Sequence, residues 1–152
     1  MLPVNQLCTL NCQTEGFELS ENHLNQYAEE GVLLVKNLFD PDEFLPIRQD
    51  LAGRLSLLER HFGADVSENA NAITQISDRL TSLEERAPGA QSILYDSMNA
   101  APSLHAMGAH SKLMAILEKL LSPEISIHDR YIILMSMPHA EWHLASWHQD
   151  WY

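Results

Sequence analysis

The sequence predicts an α+β fold, helical for about four-fifths of its 152 residues and β-rich only toward its end. Two observations carry this. Apolar residues recur at helical spacing in four stretches, each bounded by a start or stop signal. The segment "EISIHDRYIILMSMP" (residues 124 to 138) is continuous, apolar and rich in β-branched residues, which suits a central strand.

The elements follow in order. Residues 1–19 show no clear period and read as an irregular tail to one domain spanning 1–152. Ser20 can N-cap a helix over "ENHLNQYAEE", with Leu24, Tyr27 and Ala28 on one face and Gly31 as the stop. "VLLVKN" reads as a short buried strand. Asp40 as N-cap, Pro41 at N1 and Glu43 at N3 form the strongest start signal in the chain. The helix behind it runs to about His61 on Phe44, Ile47, Leu51, Leu55 and Leu58, and Gly63 ends it. A second amphipathic helix uses Ile73, Ile76, Leu80 and Leu83 and stops at Pro88 and Gly89. Gln91 to Gly108 is ambiguous, read as helical turns and loop. "SKLMAILEKLLSP" is a further helix on Leu113, Ile116, Leu117 and Leu120. Pro138 breaks the long strand, and "SWHQDWY" begins another.

Composition narrows the function classes. With 21 acidic and 9 basic residues the net charge is -12, which argues against nucleic acid or an anionic membrane as partner, since both select clustered Lys and Arg. No apolar run approaches a membrane span, and the N-terminus lacks the basic start of a secretory signal, so a cytoplasmic location is expected. Cys8 and Cys12, spaced C-x3-C, lack the further ligands of a zinc site and read as reduced, structurally minor thiols. The acidic excess reads as a solvated surface.

The chemistry concentrates in "ASWHQDWY". A strand alternates its side chains, so His148 and Asp150 share one face, about 7 Å apart along the backbone. One imidazole nitrogen and one carboxylate oxygen suit Fe(II) or another borderline divalent ion, and a second His would complete the 2-His-1-carboxylate triad of non-haem iron oxygenases. "WHQDWY", preceded by a strand and a Pro-containing loop, resembles the phytanoyl-CoA dioxygenase family of Fe(II)/2-oxoglutarate enzymes. "QYAEEGVLLVKNLFDPDEFLPIRQDL" resembles the same family's opening: a helix, a Gly, a short apolar strand, then an acid-capped helix carrying Arg48 about one turn in. The resemblance covers roughly residues 20 to 60 and 124 to 152.

That resemblance implies a double-stranded β-helix (jelly roll, cupin-like) with helices packed outside one sheet, here incomplete. It implies that His148 and Asp150 are the first two iron ligands, and that the activity is hydroxylation with 2-oxoglutarate as cosubstrate. Arg130, Tyr131 and Ser136 are the polar residues left for cosubstrate contacts on a strand whose centre, Ile132 to Met135, is apolar. The family's third ligand, a His, and its 2-oxoglutarate-binding Arg come downstream of the motif, and this sequence has neither after Asp150. The expectation is a chain truncated after the first two ligands and inactive alone. It would act on a small molecule in its complete form, or pair through an open sheet edge with a C-terminal half or a second copy.

Two other readings stand beside it. A non-catalytic helical interaction module fits the helical majority. A small zinc domain could use His139, His143 and His148, although Ala140 where a zincin places Glu argues against that pattern. Trp142, Trp147 and Trp151 read as core or pocket wall. His23, His61, His105, His110 and His128 read as structural or solvent-facing.

Overall fold

The computed structural model describes residues 7–66 and 73–127. Among them are seven α-helices and a sheet of two short parallel strands, an α+β mixture dominated by helix. They fall into two compact units, one of residues 7–45 and 105–127, the other of residues 46–66 and 73–104.

The first unit begins with β1 (Thr9–Asn11) and α1 (Cys12–Glu15), followed by α2 (Glu21–Glu30) and β2 (Leu34–Lys36). The strands pair in parallel, with Thr9 opposite Leu34, Leu10 opposite Val35 and Asn11 opposite Lys36, so α1 and α2 form the crossover. The irregular tail expected over residues 1–19 is corrected here: residues 9–15 are a strand and a helical turn. Three residues are too few to show a period, and the partner that makes them a strand lies 25 residues away. Leu10 is fully buried between two half-exposed neighbours, which anchors β1. The Asn37 amide, on a residue with φ of 55°, donates to Asn11 Oδ1 at 2.9 Å and ties the two strand ends together.

α2 has the limits its caps predict. Ser20 Oγ accepts from the His23 N–H at 3.3 Å, and Gly31 ends the helix at φ 70°, donating its N–H to Tyr27 O at 2.8 Å. The buried face differs from expectation. Ala28 is exposed, and His23 is the residue taken inside. The final helix, α7 (Ser111–Leu120), buries Ile116 with Leu113, Leu117 and Leu120 half-buried around it.

The second unit holds the main core. A 3-10 turn, Pro41–Phe44, leads into α3 (Leu45–His61), which presents Leu51, Ala52 and Leu55 to Ile76, Leu80 and Leu83 of α4 (Ile73–Arg86). The Asp40–Pro41–Glu43 start thus nucleates a tighter turn than the α-helix expected of it. The Gln91–Gly108 stretch, expected to be helical turns and loop, is helical: α5 (Ala90–Met98) and α6 (Pro102–Gly108) are two full elements. α5 supplies Ala90, Leu94 and Met98 to the same core, the last two fully buried.

These short helices draw their N-terminal caps from distant carboxylates. Glu84 accepts from the Gly89 and Gln91 N–H groups at 2.8 and 2.7 Å and so caps α5. Asp50 accepts from both the hydroxyl and the backbone N–H of Ser103 at the start of α6. The acidic excess is therefore more than a solvated surface, since part of it closes helix ends.

Residues 124–127, where the long strand was expected to begin, are irregular. The remainder of that strand, and the strand of "SWHQDWY", lie outside the described residues.

Candidate functional site

The residues assigned to chemistry from the sequence, His148 and Asp150 as metal ligands and Arg130, Tyr131 and Ser136 as cosubstrate contacts, all lie outside the described residues. So do His128, His139 and His143 and the three tryptophans. Among the described residues, no group of three His, Cys, Asp or Glu side chains is placed to hold a metal ion. Cys8 is buried and Cys12 half-buried, both free thiols. Burial first, and then the Glu15 carboxylate, push the Cys12 thiol up, so it stays protonated at neutral pH.

What the described fold builds in the family-like opening is a carboxylate hub within the first unit. Glu43 Oε2 accepts from the Asp40 N–H at 2.7 Å and from Lys112 Nζ at 2.6 Å, while its Oε1 lies 3.2 Å from His110 Nε2. Lys112 also lies 3.5 Å from Asp40 Oδ2. His110 Nδ1 accepts from the Lys112 N–H at 3.3 Å, which N-caps α7 and leaves Nε2 as the nitrogen that can donate to Glu43. The Phe39 ring meets His110 edge-on at 5.1 Å and Phe44 at 5.5 Å. One carboxylate thereby joins the 3-10 turn to the start of α7. His110, read from the sequence as structural or solvent-facing, is structural.

The hub has a pH signature. The hydrogen bond from Lys112, and next the Asp40 N–H, hold the Glu43 carboxyl below its ordinary range, and the same Lys112–Glu43 bond raises the lysine. A lowered carboxyl contributes stability that is present above its unfolded value and is lost as pH falls through its folded one. A raised lysine contributes below its unfolded value and loses that contribution as pH rises through its folded one. Thermal midpoints measured across pH should therefore fall below about pH 4, where an unperturbed Glu protonates. Glu43→Gln should flatten that acid limb, and an unchanged limb would remove the hub from the account.

The second unit contains a buried ion pair that the sequence reading missed. Arg79 donates from Nε to Glu59 Oε1 at 2.9 Å and from Nη2 to Glu59 Oε2 at 2.6 Å. Its Nη2 also reaches Ser56 Oγ at 2.7 Å, and Ser56 donates onward to Ala52 O at 2.9 Å. The Arg79 and Glu59 side chains are only 11% and 5% exposed. A signal existed: Glu59 continues the α3 stripe after Ala52 and Leu55, and Arg79 sits beside Ile76, Leu80 and Leu83 on α4. Opposite charges on two apolar stripes indicate a pair across the helix interface. The pair lines an open cleft of about 360 Å³ with Asp65, Asp78 and Arg86 at its rim. Mixed charges around this rim select no one class of ligand.

No family model matches the chain, and no curated protein or solved structure matches it either.

Proposed function

We propose that this chain belongs to an Fe(II)/2-oxoglutarate-dependent dioxygenase resembling the phytanoyl-CoA dioxygenase family, with His148 and Asp150 as two of the iron's protein ligands. The observation that carries the reading is the His-x-Asp motif "WHQDWY" standing about 90 residues behind a family-like opening. Supporting it, the opening's element order recurs in the fold: α2, the Gly31 stop, β2, the acid-initiated turn, then α3 with Arg48 near its start. In the family, helices pack outside one sheet of the jelly roll. An imidazole nitrogen and a carboxylate oxygen are a donor pair that Fe(II) accepts. Bound iron would supply the activation of dioxygen for C–H hydroxylation, and the cosubstrate contacts would be drawn from among Arg130, Tyr131 and Ser136.

With one imidazole and one carboxylate as the assigned protein ligands, His148 and Asp150, the 152-residue polypeptide should hold a divalent metal weakly. Anaerobic titration of Fe(II) into the purified chain should show one weak site that His148→Ala and Asp150→Ala each abolish. Binding unchanged in both variants would overturn the assignment, and stoichiometric zinc surviving His148→Ala would favour the zinc reading. Iron-dependent succinate formation by the chain alone would overturn the expectation of inactivity.

A second reading is favoured by the sheet itself. Among the described residues it has two strands of three residues each, and the other regular elements described are helical. Such a chain can serve as an interaction module, or as half of a split enzyme, pairing through a strand edge with a C-terminal half or a second copy. The solution mass, alone and with added partner, separates the two. A location in the cytoplasm is proposed with either, and no helix among the described residues is long and apolar enough to cross a membrane.

A further inference from the structure

Capping boxes usually place Glu or Gln at N3, whose side chain accepts from the N-cap N–H at any pH near neutrality. In α2 that position is His23. The Ser20 N–H donates to His23 Nδ1 at 3.2 Å, and Ser20 Oγ lies 3.1 Å from the same nitrogen. In return, Ser20 Oγ accepts from the His23 N–H. Nδ1 can accept only while it carries no proton, so the box requires the neutral imidazole with its proton on Nε2.

His23 is 7% exposed, and Ser20 is its polar partner. Among the described residues no carboxylate, lysine or arginine stands within ion-pair distance of it. The acidic residues of its own helix are Glu21 beside it in the first turn and Glu29 and Glu30 at the far end. A proton on Nδ1 could still be donated to Ser20 Oγ, but it would set that N–H against the Ser20 N–H and add positive charge at the positive end of the helix dipole.

We infer that the cap of α2 is an acid-sensitive latch: neutral His23 closes the N-terminus of the crossover helix, and protonation releases it. The consequence reaches beyond one turn. α2 is part of the crossover that brings β1 and β2 together, and those strands pair over only three positions. Loosening the start of α2 therefore weakens the first unit's sheet.

The test compares the full chain with His23→Gln, which keeps an acceptor at N3 that does not titrate. Equilibrium unfolding is measured from pH 8 to pH 5, a range above the carboxylate titrations of the Glu43 hub. The other histidines are common to both proteins and cancel in the difference. Relative to His23→Gln, the unfolding equilibrium constant of the wild-type chain should rise about fivefold on acidification, the size of a typical N-cap contribution. Parallel profiles would overturn the inference. If His23→Gln does not fold, long-range proton–nitrogen NMR correlation on the wild-type chain reads the tautomer directly. A proton on Nε2 at pH 8, with α2 amide shifts moving as the ring titrates, is the expected result. A proton on Nδ1, or α2 amides indifferent to the titration, would overturn it.

Discussion

Replacing Arg79 with Ala should destabilise the second unit by about 3–5 kcal/mol, the usual cost of stripping one partner from a buried ion pair. The cost arises chiefly from what is left behind. Glu59, with 5% of its side chain exposed, would lose the guanidinium that compensates its charge and regain only the water that the adjoining cleft admits, and Ser56 would lose its donor. The favourable energy of the intact pair is a smaller matter, because desolvating both ions offsets most of their attraction. Glu59→Met with Arg79→Met should accordingly recover much of the loss, since it removes both charges while retaining volume. Chemical denaturation of the single and double variants separates these terms. A single-variant loss below about 1 kcal/mol would mean that water reaches the pair and that the charges are in effect exposed.

Leu94→Ala should cost about 2–5 kcal/mol, the range for emptying a fully buried leucine site. Leu94 is completely buried on α5, in contact with the stripe that α3 and α4 present. Its neighbour Ile93 is 47% exposed, so Ile93→Ala should change stability by no more than about 0.5 kcal/mol. The contrast between adjacent residues tests whether this segment is a helix with one inward face. Equal effects at both positions would contradict α5 as described.

The elements legible in the sequence are those whose signals are local. Ser20 and Gly31 mark both ends of α2. Asp40, Pro41 and Glu43 mark the start of the turn ahead of α3, and the stripes of α3 and α4 follow the helical period over about three turns and that of α7 over about two. What was missed depends on side chains supplied by other elements. α5 begins at a glycine and α6 follows an alanine, and neither has a side chain that can cap; Glu84 and Asp50 arrive from other helices to do so. β1 is a strand because β2 lies beside it, and no periodicity in three residues can announce that. Glu59 and Arg79 sit where a search for apolar stripes passes over them.

The candidate site divides in the same way. The opening helix, glycine and strand are readable from capping and composition and recur in the fold. The ligand assignment rests on a two-residue spacing and on a resemblance at a distance of about 90 residues, and the motif lies outside the described residues. Histidine itself was underread: His23 and His110 both serve as helix N-terminal acceptors, a role that depends on ring orientation.

The central claim is that His148 and Asp150 hold a divalent metal. Mn(II), added in substoichiometric amounts to the isotopically labelled chain, broadens NMR signals most steeply around wherever it binds. The account predicts that broadening centres on the side chains of His148 and Asp150, leaves His23, His61, His105 and His110 sharp, and vanishes in Asp150→Ala. Broadening centred on His139 and His143, or spread over the acidic surface and unaffected by that substitution, would contradict it.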